Sequence, residues 1–268
     1  MDLHERYTHG HHESVLRSHT WRTVANSAAY LVPYLVPGAS VLDVGSGPGT
    51  ITVDVAERVS PGQAVGIDAS PDIVARASSY AAERGVRNVR FEVGDAYRID
   101  ADDDTFDVVH AHQVLQHMSD PVAVLAEFRR VTKPGGVVAA RDVDWGGTIW
   151  APLLPGLGEW MRINQAVQRY NGGEPFAGRL LKAWALEAGF ERVDGSASIW
   201  CFASDEERAW WGDSWSVRAR ESDFATYALE AGLTDEGGLQ AVSAAWLEWA
   251  TSPQGWYAMP HGEIIAHV

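Results

Sequence analysis

The sequence predicts an α/β fold, with a mostly parallel sheet and helices on both faces. Two observations lead to this prediction. Short runs rich in valine and isoleucine alternate with longer segments of helical periodicity through the first half of the chain. Apolar residues make up 46% of the 268 residues, which is enough for a real hydrophobic core. Alternating strands and helices are typical of parallel strands joined by right-handed crossovers.

The first strands and helices follow from ordinary start and stop signals. Residues 40–44 form a short apolar strand, and residues 49–59 carry apolar side chains at helical spacing. Residues 63–70 contain the second strand. Ser70 then caps a helix with proline in its first turn, and Gly85 ends it.

Three further strands complete the first half. Residues 88–96 contain alternating valine and phenylalanine, residues 105–115 are mostly apolar, and residues 137–145 follow a Lys-Pro-Gly-Gly turn. An Asp-Pro pair at 120–121 opens the helix before that turn.

The second half of the chain is different in kind. A helix over 180–190 precedes a strand at 196–202, a helical region at 204–252 and a last strand from Tyr257. Eleven of the 12 tryptophans lie from Trp145 onward. They predict a second packed layer or an aromatic-lined substrate cavity, and one arrangement does not exclude the other.

Charge and cysteine content exclude several classes of protein. The chain has 21 basic and 36 acidic residues, a net charge of −15, and no basic run, so nucleic acid and anionic membranes are not expected partners. The single Cys201, predicted to lie buried on a strand, excludes an internal disulfide. No secretory signal is visible, and no stretch reaches the roughly 18 apolar residues of a membrane span. The expectation is a soluble cytoplasmic protein.

A glycine-rich turn follows the first strand, in the stretch VLDVGSGPGT at residues 41–50. Gly45, Gly47 and Gly49 allow a sharp turn and a close approach of the backbone to a ligand. The helix behind them presents free N–H groups and the positive end of its dipole. Such a turn serves both dinucleotides and S-adenosylmethionine.

The neighbours of these glycines favour a sulfonium cofactor. The dinucleotide pattern G-x-G-x-x-G has Thr50 at its third glycine position, and Pro48 removes one N–H donor. Asp43, on the strand, would repel a diphosphate and suits a cationic group. S-adenosylmethionine carries an ammonium and a sulfonium and no phosphate.

Two further acids end strands at the edge where open α/β sheets bind ligands. Asp68 follows the second strand and can accept hydrogen bonds from ribose hydroxyls, which both kinds of cofactor contain. Asp95 follows the third strand and can accept from the exocyclic amine of adenine. Three acids at three strand ends are unlike a chance distribution.

Together the motifs resemble those of class I S-adenosylmethionine-dependent methyltransferases, especially the ubiquinone/menaquinone-biosynthesis methyltransferase-like family. VLDVGSGPGT, VGIDAS, VRFEVGDA, FDVVHAHQVLQHMSDP and VTKPGGVVAARD follow in that family's order over about residues 40–142. The resemblance implies a Rossmann-like seven-stranded sheet whose last strand runs antiparallel beside the sixth.

We expect one domain, residues 1–268, which divides into parts, and residues 204–252 depart from the family's minimal fold as an insertion. We expect an N-terminal helical lid at 1–35 and a cofactor-binding core at 36–144. Helical substrate-cap insertions are expected at 145–175 and 204–252.

By position, the resemblance implies a cofactor site. In the family the glycine loop lies beside the methionine moiety, the acid after the second strand holds the ribose, and the Gly-Asp-Ala acid faces adenine. The predicted cofactor-binding residues are Tyr7, Asp43, Gly45, Ser46, Gly47, Gly49, Asp68, Ala69, Asp95, Ala96, His112 and Gln113.

Methyl transfer requires that the acceptor atom, the methyl group and the sulfur lie in line and that water is excluded. If the acceptor must lose a proton, a general base accelerates the reaction. His112 is the first catalytic candidate, because it should lie at the end of the fourth strand beside the methyl group. His117, which can instead order the next turn, and Asp142 are the others. The histidines at 9–12 complete no obvious ligand set, so no metal is predicted.

The sequence therefore predicts an S-adenosylmethionine-dependent methyltransferase that acts by in-line displacement on a small, bulky apolar or aromatic molecule. Whether oxygen, nitrogen or carbon is methylated stays open, as does a homodimer. Two alternatives are a nicotinamide-dependent oxidoreductase and a non-catalytic S-adenosylmethionine-binding protein.

Overall fold

A single eight-stranded sheet runs through residues 20–268, the part of the chain that this computed structural model describes. The strands are β1 (Val41–Val44), β2 (Ala64–Asp68), β3 (Val89–Val93), β4 (Phe106–His112), β5 (Thr132–Val143), β6 (Ile149–Ala151), β7 (Arg192–Phe202) and β8 (Trp256–His267).

Five strands are parallel, in the spatial order β3-β2-β1-β4-β5. β8 lies antiparallel between β5 and β7, pairing Val137 with His267 on one side and Arg192 with the same His267 on the other. This confirms the predicted mostly parallel sheet with an antiparallel last strand. The additional strand, β6, consists of three residues that pair with the beginning of β8.

Helices cover both faces of the sheet. They are α1 (Val24–Ser27), α2 (Thr50–Val59), α3 (Pro71–Arg84), α4 (Pro121–Val131), α5 (Pro155–Tyr170), α6 (Ala177–Glu187), α7 (Asp205–Glu221), α8 (Asp223–Glu230) and α9 (Glu236–Thr251). Side chains of α1 and α2 join the core on one face, and those of α4 and α6 join the core on the other. Short 3-10 turns occupy Ala29–Tyr34, Leu115–His117 and Trp145–Gly147.

The predicted caps determine where several helices begin and end. The Ser70 hydroxyl accepts from the Ile73 N–H, and the Asp120 carboxylate accepts from the Ala123 N–H. Gly85 ends α3 in the left-handed conformation. Local side-chain chemistry therefore starts both helices at the residues that the sequence indicated.

The predicted helical region at 204–252 consists of three helices. Ser222 has extended backbone, and its hydroxyl accepts from the Phe224 N–H, which separates α7 from α8. Asp235 starts α9 by accepting from the Gly238 N–H. Cys201, expected to be buried, lies exposed on β7.

Four helices, α5, α7, α8 and α9, form a tryptophan layer against the ends of β5, β7 and β8. The Trp160 ring lies 4.7 Å from that of Trp215 and 4.8 Å from that of Trp246, both edge-on. The late tryptophans therefore form a second packed core. Between Thr20 and Val268, none of the helices combines the length and apolarity that crossing a membrane requires.

The glycine turn gives a test of this packing. Gly49 has φ +83, and a Cβ there would lie 2.7 Å from Phe91 Cζ and 3.0 Å from Ala77 Cβ. Gly49→Ala should therefore lower the free energy of unfolding in urea by about 3 kcal/mol, from backbone strain plus overpacking. Gly85→Ala is the control, because φ is +70 with nothing within 4 Å, and it should cost only about 1 kcal/mol. Equal losses would contradict the packing role.

Candidate active site

A cavity of ≈ 830 Å³ opens where β1, β2, β3 and β4 reach their carboxyl ends. Most of its lining residues belong to the strand ends and to the loops that follow them, the position at which open α/β sheets bind ligands. The structure brings most of the predicted residues together in this lining: Asp43, Gly45, Ser46, Gly47, Asp68, Ala69, Asp95, Ala96, His112, Gln113 and His117. Predicted Tyr7 lies outside the described residues.

The glycine turn forms one wall of the cavity. Gly45 has φ +67, and a Cβ at this position would overlap the Val114 side chain. Gly49, which was predicted to contact the cofactor, is not among the described lining residues. Gly49 lies at the start of α2 and packs against Phe91 on β3 and Ala77 on α3, and its contact with the cofactor stays a prediction.

Asp68 and Asp95 present carboxylates at the ends of β2 and β3. The two oxygens of Asp68 accept from the Gly47 N–H at 3.1 Å and the Ser70 N–H at 3.0 Å. A carboxylate oxygen accepts more than one hydrogen bond, so ribose hydroxyls can also bind there. Exposed Asp95 accepts from the Tyr97 N–H at 2.9 Å.

Asp43 lies beneath the glycine turn, and its side chain is almost completely buried. One carboxylate oxygen accepts from the Thr52 hydroxyl at 2.5 Å, and the other lies 2.8 Å from His110 Nδ1. These hydrogen bonds offset the free-energy cost of burying the negative charge of the carboxylate. The carboxylate still borders the cavity, where it would repel a diphosphate.

Arg22 lines the cavity and was not singled out from the sequence. One of its terminal nitrogens donates to Gln113 Oε1 at 2.7 Å. Gln113 Nε2 lies 2.8 Å from His261 Nε2, and His261 Nδ1 lies 3.0 Å from Met259 O. The Met259 carbonyl requires the proton on Nδ1, so Nε2 accepts from the Gln113 amide. This chain of hydrogen bonds fixes the orientation of Gln113, whose φ is +55.

His112 is buried at the end of β4, and neither ring nitrogen has a hydrogen-bond partner among the described residues. Its ring lies 5.7 Å from that of Trp200 and 6.3 Å from that of His261. Burial lowers the pKa of His112 well below its usual range, and the nearby guanidinium of Arg22 adds to this effect. The imidazole is therefore neutral near pH 7.

His117 lies in the 3-10 turn after β4 and also lines the cavity. Burial lowers the pKa of His117 to about 4. Its Nε2 lies 3.2 Å from the amide nitrogen of Gln116, so the neutral ring can accept a hydrogen bond there. Both predicted histidines thus present uncharged imidazoles at one end of the cavity.

Asp142, the third catalytic candidate, is not among the described residues that line the cavity. Its fully buried side chain lies behind the 3-10 turn, where Oδ1 accepts from the Gln116 N–H at 3.2 Å. Burial raises the pKa of Asp142 to about 7. The 3-10 turn thus lies against Asp142 on β5, and the catalytic role of Asp142 stays a prediction.

The cavity lining fits S-adenosylmethionine. Three carboxylates, Asp43, Asp68 and Asp95, border the cavity, and Arg22 is the one arginine or lysine among its described lining residues. This balance suits a cationic nucleoside and opposes a diphosphate. The buried Ser46 hydroxyl has no partner among the described residues, as expected of a group that meets a ligand.

Comparisons with known proteins agree with this chemistry. The chain matches a methyltransferase domain family over residues 35–187. An uncharacterized methyltransferase from Schizosaccharomyces pombe is 34% identical over 269 residues, covering 97% of this chain and 95% of that protein. A ubiquinone/menaquinone biosynthesis C-methyltransferase from Bdellovibrio bacteriovorus is 34% identical over 101 residues, covering 38% of this chain and 43% of that one.

A solved structure shows the same fold. The YcgJ protein from Bacillus subtilis has a TM-score of 0.55 at 20% identity, covering 96% of this chain and 100% of that one. The chain belongs to the methyltransferase domain family. It is an S-adenosylmethionine-dependent enzyme, as its sequence predicted, and the oxidoreductase and non-catalytic alternatives are not favoured.

The adenine-side assignment can be tested with the demethylated cofactor, S-adenosylhomocysteine. Asp95→Ala should raise its Kd about tenfold, because a nucleoside donor loses a charged acceptor. Calorimetry measures this change, and Asp100→Ala, an exposed acid beyond the cavity lining, should leave Kd unchanged. Equal affinity of wild type and Asp95→Ala would remove Asp95 from the site.

The buried Asp142 carboxyl predicts a pH-dependent stability. The unfolded chain loses this proton near pH 3.8 and the folded protein keeps it to about pH 7. The free energy of unfolding therefore falls as pH rises through that window. The Asp142→Asn variant lacks this titrating group. The difference between its free energy of unfolding and that of wild type should therefore rise by about 4 kcal/mol, in favour of the variant, from pH 4 to pH 8. Urea unfolding measures the difference, and a difference independent of pH would refute the raised pKa.

Proposed function

We propose that this enzyme methylates a small, largely apolar or aromatic molecule by in-line displacement, with the acceptor beside His112. The observation that supports this most directly is His112 itself. It is a buried neutral imidazole at the end of β4, both nitrogens lack a partner among the described residues, and Trp200 packs beside it. Such a group is suited to hydrogen-bond an incoming acceptor atom.

We assign a role in cofactor binding to several residues of the lining. When bound, the cofactor supplies an activated methyl group on a sulfonium. Asp68 and Ala69 hold the ribose, Asp95 and Ala96 face adenine, and the turn from Gly45 to Gly47 lies beside the methionine moiety. Arg22, held in place by Gln113, is the cation that suits the methionine carboxylate.

On the acceptor side, His112 orients a hydroxyl or amine by accepting its hydrogen bond. Its lowered pKa keeps the ring neutral and ready to accept at neutral pH. The acceptor proton becomes more acidic as the new bond forms, so a weakly basic imidazole can take it late in the reaction. His117 contributes a second neutral imidazole at the same end.

We also propose that the segments of the chain have the separate functions that the sequence suggested. Residues 1–35 act as a lid, 36–144 hold the cofactor, and the insertions at 145–175 and 204–252 cap the acceptor. Two contacts support the lid: the Trp200 indole N–H donates to Asn26 O at 2.6 Å, and the Trp21 ring lies 5.2 Å from that of Trp200. A closed lid would exclude water from the methyl group.

The activity can be tested on a panel of hydroxylated and aminated aromatic molecules, including hydroquinones and naphthols. Purified enzyme with S-adenosylmethionine should form S-adenosylhomocysteine above the acceptor-free rate with members of this panel. Mass spectrometry of the product identifies the methylated atom. Binding of S-adenosylhomocysteine without turnover on any member would oppose the proposed acceptor class.

The proposed role of His112 predicts a separation of catalysis from cofactor binding. His112→Phe keeps an aromatic ring but removes both nitrogens, so kcat should fall by about 100-fold or more, with the S-adenosylhomocysteine Kd nearly unchanged. Met118→Leu, at a half-buried position in the same lining, is the control and should retain activity. A Kd that rises as much as kcat falls would show that His112 mainly holds the cofactor.

A further inference from the structure

Four side chains from four separate segments form a closed cycle of contacts at the edge of the cofactor cavity. Arg22 and Gln113 line the cavity, whereas Trp200 on β7 and His261 on β8 are not among its described lining residues. Arg22 donates to Gln113 at 2.7 Å, and Gln113 lies 2.8 Å from His261. The His261 ring lies 4.4 Å from that of Trp200, and the Arg22 guanidinium carbon lies 5.6 Å from the centre of the Trp200 ring. We call these four residues the Arg22 cluster.

The hydrogen bonds of the Arg22 cluster can run in one direction only. An arginine donates and never accepts, so Gln113 turns Oε1 toward Arg22 and donates from Nε2 to His261. The ring proton of His261 lies on Nδ1, which donates to Met259 O at 3.0 Å. Burial lowers the pKa of His261 well below its usual range, and the guanidinium of Arg141 adds to this effect, so Nε2 is free to accept. His261 therefore fixes the Gln113 amide in the orientation that accepts from Arg22.

Trp200 contacts the backbone and the side chains of the segment that carries Arg22. Its indole N–H donates to Asn26 O at 2.6 Å, and its ring lies 5.2 Å from that of Trp21. The guanidinium of Arg22 lies over the same ring, where the face of the indole attracts a cation. Trp200 is itself buried and packs beneath the guanidinium of Arg141 at 4.9 Å. Trp200 therefore anchors both the segment at 21–26 and its charged group.

We propose that His261 and Trp200 are positioning residues that hold the Arg22 guanidinium ready for the carboxylate of the cofactor's methionine moiety. An arginine side chain has many rotamers, so a guanidinium that is already ordered loses less conformational entropy when it binds. The backbone of Gln113 has φ +55, a conformation that persists in residues other than glycine where the surrounding contacts hold it. This inference rests on the role that the proposed function gives to Arg22.

The test compares S-adenosylhomocysteine with 5′-methylthioadenosine, which keeps the adenine, the ribose and the sulfur but lacks the amino-acid part. Calorimetry on the full chain measures both Kd values. Arg22→Met should raise the Kd of S-adenosylhomocysteine about tenfold and leave that of 5′-methylthioadenosine nearly unchanged, because only the first ligand has a carboxylate. Wild-type affinity for S-adenosylhomocysteine in Arg22→Met would contradict the proposed role of Arg22, and this inference with it.

Two substitutions of His261 separate positioning from packing. His261→Asn keeps a donor for Met259 O but loses the acceptor for Gln113, so the Kd of S-adenosylhomocysteine should rise about fivefold. His261→Gln offers a carbonyl oxygen near the position of Nε2 and should restore most of the affinity. The Kd of 5′-methylthioadenosine should stay at the wild-type value in both variants. His267→Asn, the same substitution at a β8 side chain that bonds to Asp194, is the matched control and should change neither Kd.

The contribution of the indole is tested in the same way. Trp200→Leu removes the aromatic face, so the Kd of S-adenosylhomocysteine should rise about fivefold. Trp200→Phe keeps an aromatic face and should raise this Kd less. Trp210→Leu is the matched control, because the Trp210 ring also packs against that of Trp21, at 5.6 Å, but is not a member of the Arg22 cluster.

Double variants show whether both residues act through Arg22. In the Arg22→Met background, adding His261→Asn or Trp200→Leu should cause no further loss of S-adenosylhomocysteine affinity, since the group that they position is absent. A second loss as large as the one in wild type, or equal losses for the two ligands, would show a general structural effect and overturn the inference. A loss in Arg22→Met without a loss in His261→Asn and Trp200→Leu would overturn the inference alone and leave the proposed function standing.

Discussion

The hydrogen bonds around the Asp43 carboxylate join three of the elements beside the cavity, β1, β4 and α2. Asp43 on β1 and His110 on β4 are register neighbours in the sheet, and Thr52 lies on the first turns of α2. A buried carboxylate is costly unless it is hydrogen-bonded, so the three elements are held in one arrangement. The glycine turn runs between β1 and α2, and its geometry follows from this constraint.

The parallel pairing of the strands brings the remaining residues of the cavity lining together. Because β2, β1 and β4 run in the same direction, their carboxyl ends bring Asp68, Gly45 and His112 to one cavity from separate parts of the chain. The lining carries Asp68 and Asp95 at the ends of β2 and β3, and after β4 it carries two imidazoles that burial keeps uncharged. The fold therefore places acidic and uncharged side chains on different strand ends of one cavity.

Sequence alone predicted the parts of the fold that depend on local signals. Caps such as Ser70 and Asp120 act within three residues, and they mark their helices correctly. β6 was missed because three residues carry too little periodicity, and it exists through pairing with β8. The division of residues 204–252 required Ser222 to be recognised as a cap inside a helical pattern.

The lining of the candidate cavity could be predicted where a residue directly follows a strand, but not where distant segments of the chain meet. Asp68 and Asp95 lie in the cavity lining because strand ends converge. Arg22 bonds to a residue 91 positions away, and no spacing rule reports such a contact. Asp142 also lies near the end of a strand, β5, but the 3-10 turn after β4 packs against it through the Gln116 N–H.

The place of β8 between β5 and β7 has a consequence for the order of events during synthesis. β7 pairs with β8 alone among the strands of the described chain, and α7, α8 and α9 separate the two in sequence. A nascent chain that has reached α9 therefore holds β7 without a strand partner, beside a parallel sheet that ends at β5. β8 follows every other strand and helix of the described chain, and its pairing closes the sheet and brings His261 to Gln113. The contact that orients Gln113 therefore forms only after β8 has been synthesised and has paired.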